Sequence, residues 1–354
     1  MLLRRLFQRM AASLAACVCM AGYGVARVLG CGLRRGCGLC MGLLMWLLVG
    51  LVWSLSAGGA HAAELDVVSP DRSAGYTEAA QAVAAEWAQL SQGKGDARLV
   101  YLSDGAGTEP PSAGGPRVIV TLGREALARV LAQEPRVPVV AALIPKAGFE
   151  RVLKDAPKRP AAPVVALYLE QPMARQAELL RLALPDAKRV GVLWGAESMP
   201  QADVVQSSLQ ARGFALAGAY VGDARDLFSS LKTALADADV LLAVPDPGVF
   251  NGSNIANVLL ATYRARVPVM AFSPAYVRAG ALLSLHSSPM QIGRQAAAIA
   301  RTQWSGAAGA GAAGGSQFPA EFTLTVNEHV ARSLGLSLDG QALTERLRRA
   351  EKRP

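Results

Sequence analysis

From Glu64 onward the chain alternates short apolar, β-branched runs with longer stretches of helical periodicity, and this alternation leaves few folds open. Residues 65–68, 98–102, 117–122, 137–144, 164–169, 190–194, 214–221, 240–244 and 267–272 read as strands. Between them, helices are expected at 74–90, 124–133, 172–184, 201–211, 225–236 and 254–266. Most of the strand runs are apolar at successive rather than alternate positions. That is the pattern of strands buried on both faces, so parallel sheets covered by helices are expected. A single open sheet rarely exceeds about ten strands, which makes two lobes the easier arrangement. Proline-rich, charged 154–163 marks the approach to the first crossing between them. Further on, 305–317 is almost entirely glycine and alanine and reads as a flexible surface loop. A strand is expected at 321–326, and 341–354 reads as a basic amphipathic helix.

Composition matters mainly for what it removes. The chain of 354 residues has a formal net charge of +9, which taken whole suggests an anionic partner. The first 62 residues, however, hold six arginines and no acid, leaving 30 basic against 27 acidic residues in the other 292. The case for a nucleic-acid partner disappears with that division. All five cysteines lie before residue 41, so neither a disulfide framework nor a cysteine-held metal belongs to the body. Arg34 and Arg35, an uncharged apolar run over 36–59 and the closing Ala60-His61-Ala62 make up a secretory signal, with cleavage expected after Ala62. The same run is long enough to stay as a membrane anchor. Leu14-Ala15-Ala16-Cys17 and Val28-Leu29-Gly30-Cys31 also look like lipidation sites. A periplasmic location is expected on each reading.

Catalytic chemistry has little to stand on. Past Ala62 the chain has two histidines, His286 and His329, with no cysteine, no Gly-x-Ser-x-Gly and no Walker loop. No metal or cofactor is expected. In open parallel sheets, ligands bind outside the carboxyl ends of the strands. Those ends supply the candidate ligand residues Ser69, Thr121, Gly123, Glu170, Trp194, Asp246 and Ser273, to which Tyr276 is added. Thr121-Leu122-Gly123 leads straight into a helix whose free N–H groups suit an anion, although any strand-to-helix turn favours small residues. Trp194 serves equally as a stacking face or as a cap on the core. Asp246, set between Pro245 and Pro247, is either a turn former or an acceptor for a ligand. Ser288-Pro289-Met290-Gln291 is a helix capping box, followed by an apolar face at Ile292, Ala296, Ile299 and Ala300.

The segment from Pro245-Asp-Pro-Gly-Val-Phe-Asn-Gly-Ser-Asn254 through Val267-Pro-Val-Met-Ala-Phe-Ser-Pro-Ala-Tyr-Val-Arg-Ala-Gly-Ala-Leu282 resembles the ABC transporter substrate-binding protein family, tryptophan/tyrosine type. Ser287–Ala297, Phe322-Thr-Leu-Thr-Val-Asn327, Leu334-Gly-Leu336 and Leu184-Pro-Asp-Ala-Lys-Arg-Val-Gly-Val-Leu193 continue the likeness. It covers 164–338, with a weaker fit over 64–163. The resemblance implies a two-lobed α/β type I periplasmic-binding-protein fold with a three-segment hinge, closing on a small-molecule ligand. It implies a first lobe of 63–170 plus 288–305, a second of 171–287 plus 318–338, a loop at 306–317 and a terminal helix at 339–354. The implied partner is an ABC permease, with a sensor kinase or envelope complex as the alternative, and the protein is expected to be a monomer.

Overall fold

The computed structural model describes residues 64–92, 95–105, 117–223, 225–305 and 315–352. The expected leader, 1–62, and most of the glycine/alanine loop, 306–314, lie outside them. The chain begins with β1 (Leu65–Ser69), α1 (Ala74–Leu90), β2 (Ala97–Tyr101), β3 (Val118–Leu122), α2 (Gly123–Leu131), β4 (Val139–Ile144), α3 (Lys146–Asp155) and β5 (Val164–Tyr168). It continues through α4 (Met173–Ala183), β6 (Arg189–Trp194), α5 (Ala202–Gln210), β7 (Ala215–Tyr220), α6 (Leu227–Leu235), β8 (Val240–Leu242), α7 (Ile255–Arg264), β9 (Val269–Ala271), α8 (Pro274–Ala279) and β10 (Leu283–His286). Last come α9 (Pro289–Trp304), β11 (Thr323–Val326), α10 (Glu328–Ser333) and α11 (Gly340–Glu351).

The strands form two sheets. The first has the order β2-β1-β3-β4-β5 and is parallel throughout. The second has the order β11-β10-β9-β8-β6-β7 and is parallel except for β11, which runs antiparallel to β10. This is the two-lobed α/β architecture of type I periplasmic binding proteins. Each sheet is buried on both faces, which is why its strands lack the apolar/polar alternation of a half-exposed sheet. In the first, Val118, Val120 and Leu122 face Trp87 of α1 and Ile292 and Ala296 of α9, while Val139 and Ala141 face Leu127 and Val130 of α2 and Phe149 of α3. In the second, Val190, Val192 and Trp194 face Leu180 of α4 and Leu347 of α11, and Leu193 and Leu241 face Leu231 of α6 and Val258 of α7.

Helix α9 follows a strand of the second sheet yet packs on the first, and one glycine makes its closest approach possible. A Cβ on Gly293 would lie 2.5 Å from the carbonyl oxygen of Ala79 in α1. The helix starts with the full capping box expected at Ser288 and Gln291. Local readings change at three helices that were not expected, α3, α8 and α10, and at one strand. Helix α3 was not expected at all, because Gly148 and five charges in ten residues mask its short apolar face of Phe149 and Val152. The run at 267–272 contributes only Val269–Ala271 to the sheet, since Pro268 has no N–H and takes part only by accepting from Leu241 N at 2.9 Å. Among the described residues, no helix is long and apolar enough to cross a membrane.

Candidate functional site

The chain passes between the sheets three times: from β5 to α4, from β10 to α9, and from α9 to β11. A cleft of about 160 Å³ opens beside the first passage. One wall is Lys146, Ala147, Glu150 and Arg151 of α3, which follows β4, and the other is Ala196, Glu197, Pro200 and Gln201, which follow β6. Both walls thus lie past the carboxyl ends of parallel strands, the position this sheet architecture offers a ligand. Arg151 Nη1 reaches Glu197 Oε1 across the cleft at 2.8 Å. The arginine side chain is half exposed, so the pair contributes well under about 1 kcal/mol and opens easily.

Two buried carboxylates organise the walls. Both oxygens of Glu170 accept from the backbone N–H of Lys146, at 2.9 and 3.1 Å, and so cap the start of α3 from the carboxyl end of the neighbouring parallel strand β5. Burial pushes the Glu170 carboxyl up to about 7, against the opposing pull of backbone hydrogen bonds from its own N–H and that of Lys146 and of the Lys146 charge. On the other wall, Asp246 accepts from Glu197 N at 3.1 Å, Ser198 N at 2.8 Å, Ser198 Oγ at 2.9 Å and Gly248 N at 2.9 Å. It is 3% exposed. The strand-end prolines, Pro245 and Pro247, leave its carboxylate aimed at the loop after β6, which it holds in shape.

The other candidate residues fall into two groups. At the ends of β1 and β3, Ser69 donates to Asp71 O at 2.8 Å, and Thr121 is fully buried with no hydrogen-bond partner for its hydroxyl. Gly123 opens α2 at φ +82°, beneath the half-buried Tyr76, whose hydroxyl lies 2.5 Å from where a Cβ on Gly123 would be. In the second sheet, Trp194 is a core residue, lying against Gly218 of β7 and 4% exposed. Ser273 caps α8 by accepting from Ala275 N. Tyr276 donates to Phe250 O at 3.2 Å, packs edge-on against Phe272, and has its hydroxyl pKa raised by burial. Trp194 thus takes the core role of its two readings, and Asp246 has its oxygens filled by the protein. None of the eight candidates lines the cleft itself.

The candidate Trp194 ends the strand that leads into the second wall, but sequence reasoning missed the first wall. The same strand-end rule applied to β4 leads past Pro145 directly to Lys146. His286, at the second passage, has its pKa lowered by burial and lies 3.3 Å from Ser284 Oγ through Nδ1.

A family model described as ABC transporter substrate binding protein matches residues 112–347. No curated protein matches the sequence. Among solved structures, a conserved domain protein from Vibrio cholerae is 20% identical with a TM-score of 0.54, covering 80% of this chain and 98% of its own. An ABC domain from Streptococcus pneumoniae in complex with L-Trp is 17% identical with a TM-score of 0.53, covering 79% and 98%. A ligand-free, open substrate-binding protein with adhesive properties from Clostridium difficile is 15% identical with a TM-score of 0.57, covering 78% and 95%. At these identities the likeness shows the fold.

Proposed function

This chain belongs to the ABC transporter substrate-binding protein family, and from that premise we propose that it is the extracytoplasmic solute-binding component of an ABC-type uptake system. The observation that carries the proposal is the cleft bounded by strand-end loops of both sheets, beside the passage where the chain crosses between them. A small polar ligand entering there exchanges water for groups on both walls, and it can do so on both only when the lobes are close. Its binding energy therefore shifts the equilibrium toward the closed state, in proportion to its differential affinity for the two states. A membrane permease then reads closure rather than the ligand itself.

In this reading the first lobe is 63–170 plus 288–305 and the second 171–287 plus 318–338, with the leader removed after Ala62 on the way to the periplasm. The chain works as a monomeric binding protein and not as an enzyme, in keeping with its sparse catalytic inventory. Beyond the cleft's own lining, the proposed ligand side of the first lobe extends along the ends of β1 and β3 to Ser69, Thr121 and Gly123, together with Tyr76. Glu170 holds the near wall, while Trp194, Asp246, Ser273 and Tyr276 hold the second lobe's strand-end loops in place for it.

Native mass spectrometry of the protein isolated from its own host's envelope tests the proposal. A mass excess of a few hundred daltons or less, lost on denaturation, is the expected result. A bare protein whose melting temperature is unmoved by a broad panel of small metabolites would count against it.

A further inference from the structure

The three passages between the lobes are tied together by one hydrogen-bonded knot. Gln171 Nε2 donates to Ser287 Oγ at 2.7 Å, and Ser287 Oγ donates to Glu321 O at 2.7 Å, so one chain of bonds joins all three. Arg175 of α4 extends it, donating to Gln171 Oε1 at 2.7 Å and to Pro319 O at 2.9 Å, and pairing with Glu351 of α11. The knot therefore moves with the second lobe. On the first-lobe side, Leu169 N is bound to Ile144 O at 3.0 Å, and Ser288 is bound into the capping box of α9. In the third passage, Gln317 is bridged to β5 and the partly buried Gln295 of α9 accepts from Ala320 N, both on the first-lobe side, while Pro319 O is held by Arg175 of α4, so that passage is shared by both sides. The first passage is sharper: between Leu169, held by one lobe, and Gln171, held by the other, stands a single residue, Glu170.

We propose that Glu170 is the positioning residue that couples hinge rotation to the cleft, because its backbone is the pivot of the first passage and its carboxylate holds the helix that forms the near wall. The inference rests on the two-lobed, closing mode of action proposed above. Turning about Glu170 moves its carboxylate relative to Lys146 N, and Arg151, about one and a half turns along the same helix, carries the pair to Glu197. In the bridged conformer the carboxylate is buried and titrates near 7. Opening admits water and returns it toward its ordinary value of 4.5, so deprotonation favours the open state and protonation the closed one. The charged groups acting on it are Lys146, which favours its ionisation, and Glu150, which opposes it, both on α3. His286, on the second passage, is another titratable hinge group, its pKa lowered by burial.

The test uses the full chain with its five cysteines replaced by serine and new ones introduced as Lys154→Cys on α3 and Gln206→Cys on α5, spin-labelled for distance measurement. The ratio of open to closed populations is expected to rise about tenfold between pH 6 and pH 8. Glu170→Gln, which keeps an acceptor for Lys146 N and removes the charge, is expected to abolish the change, and His286→Asn to leave it intact. If Glu170→Gln fails to fold, Glu150→Gln is expected to move the transition to lower pH, and an unmoved transition counts against the proposal. Two populations with a ratio that ignores pH, or follows it equally in Glu170→Gln, overturn the role of Glu170 alone. A single, fixed distance under every condition overturns both this role and capture by closure.

Discussion

The two lobes present the same kind of surface to the cleft, the carboxyl ends of parallel strands, yet they treat their buried polar groups differently. In the second lobe, Asp246 has four donors on its two oxygens, all from the loops that follow β6 and β8. In the first lobe, the hydroxyl of Thr121 has no partner, Glu170 is a carboxylate kept close to neutral by burial, and Gly123 holds a left-handed backbone at the start of a helix. Satisfied buried networks rigidify, and partly satisfied ones are held at a cost that the rest of the lobe must offset. The contrast teaches that the second wall is built in advance, while the first carries the groups that respond to what enters.

The largest effect that could break this contrast lies at Asp246. Asp246→Ala strands the buried N–H and hydroxyl of Ser198 and the partly buried N–H groups of Glu197 and Gly248, and frees the loop lining the cleft, so about 3 kcal/mol of stability should be lost. Chemical denaturation measures it. A loss no greater than that of an ordinary surface substitution would mean that the second wall is not prebuilt.

The contrast also shows what the sequence made legible. Doubly buried parallel strands announce themselves by continuous apolar runs, and so the α/β class, the two sheets and the capped start of α9 follow from the residues alone. Helix α3, the cleft's near wall, was invisible because five of its ten residues are charged and only Phe149 and Val152 mark an apolar face. Trp194 and Asp246 show a different limit. Their position at strand ends is correctly read from the sequence, but whether a strand-end side chain turns toward solvent, core or a neighbouring loop depends on contacts from residues far along the chain, here Gly218 and Ser198.

Glu170 sharpens the first-lobe side of the comparison through pH. Its folded-state pKa of about 7 lies above the ordinary 4.5, so its favourable contribution is fully present below pH 4.5 and is lost as pH rises through 7. The ionised form is therefore disfavoured by roughly 3 kcal/mol at pH 8, and Glu170→Gln should flatten the stability profile between pH 5 and 8 while raising its alkaline end. Denaturant midpoints taken across that range check it; parallel profiles in the two proteins would contradict a raised pKa. A smaller effect is expected at Thr121. Thr121→Val keeps the shape and removes an unpaired buried hydroxyl, so stability should rise by up to about 1 kcal/mol while ligand retention in native mass spectra falls. A variant that gains stability and keeps its ligand would remove Thr121 from the site.

The smallest effect is expected where the two lobes touch. Arg151 and Glu197 are the pair that joins the walls, one from the responsive lobe and one from the prebuilt lobe, and their partial exposure limits the pair to a few tenths of a kcal/mol. Arg151→Ala should accordingly leave the melting temperature within experimental error. A few tenths of a kcal/mol is nevertheless enough to change a nearly balanced open-closed ratio by about twofold, because the hinge equilibrium, unlike folding, has no large favourable terms to absorb it. The two readouts together separate the roles: an unchanged melt with more of the open form in small-angle scattering assigns the pair to closure. A lowered melt with unchanged scattering assigns it instead to the stability of α3, and the division between a prebuilt wall and a responsive one would then have to be drawn within the first lobe rather than between the lobes.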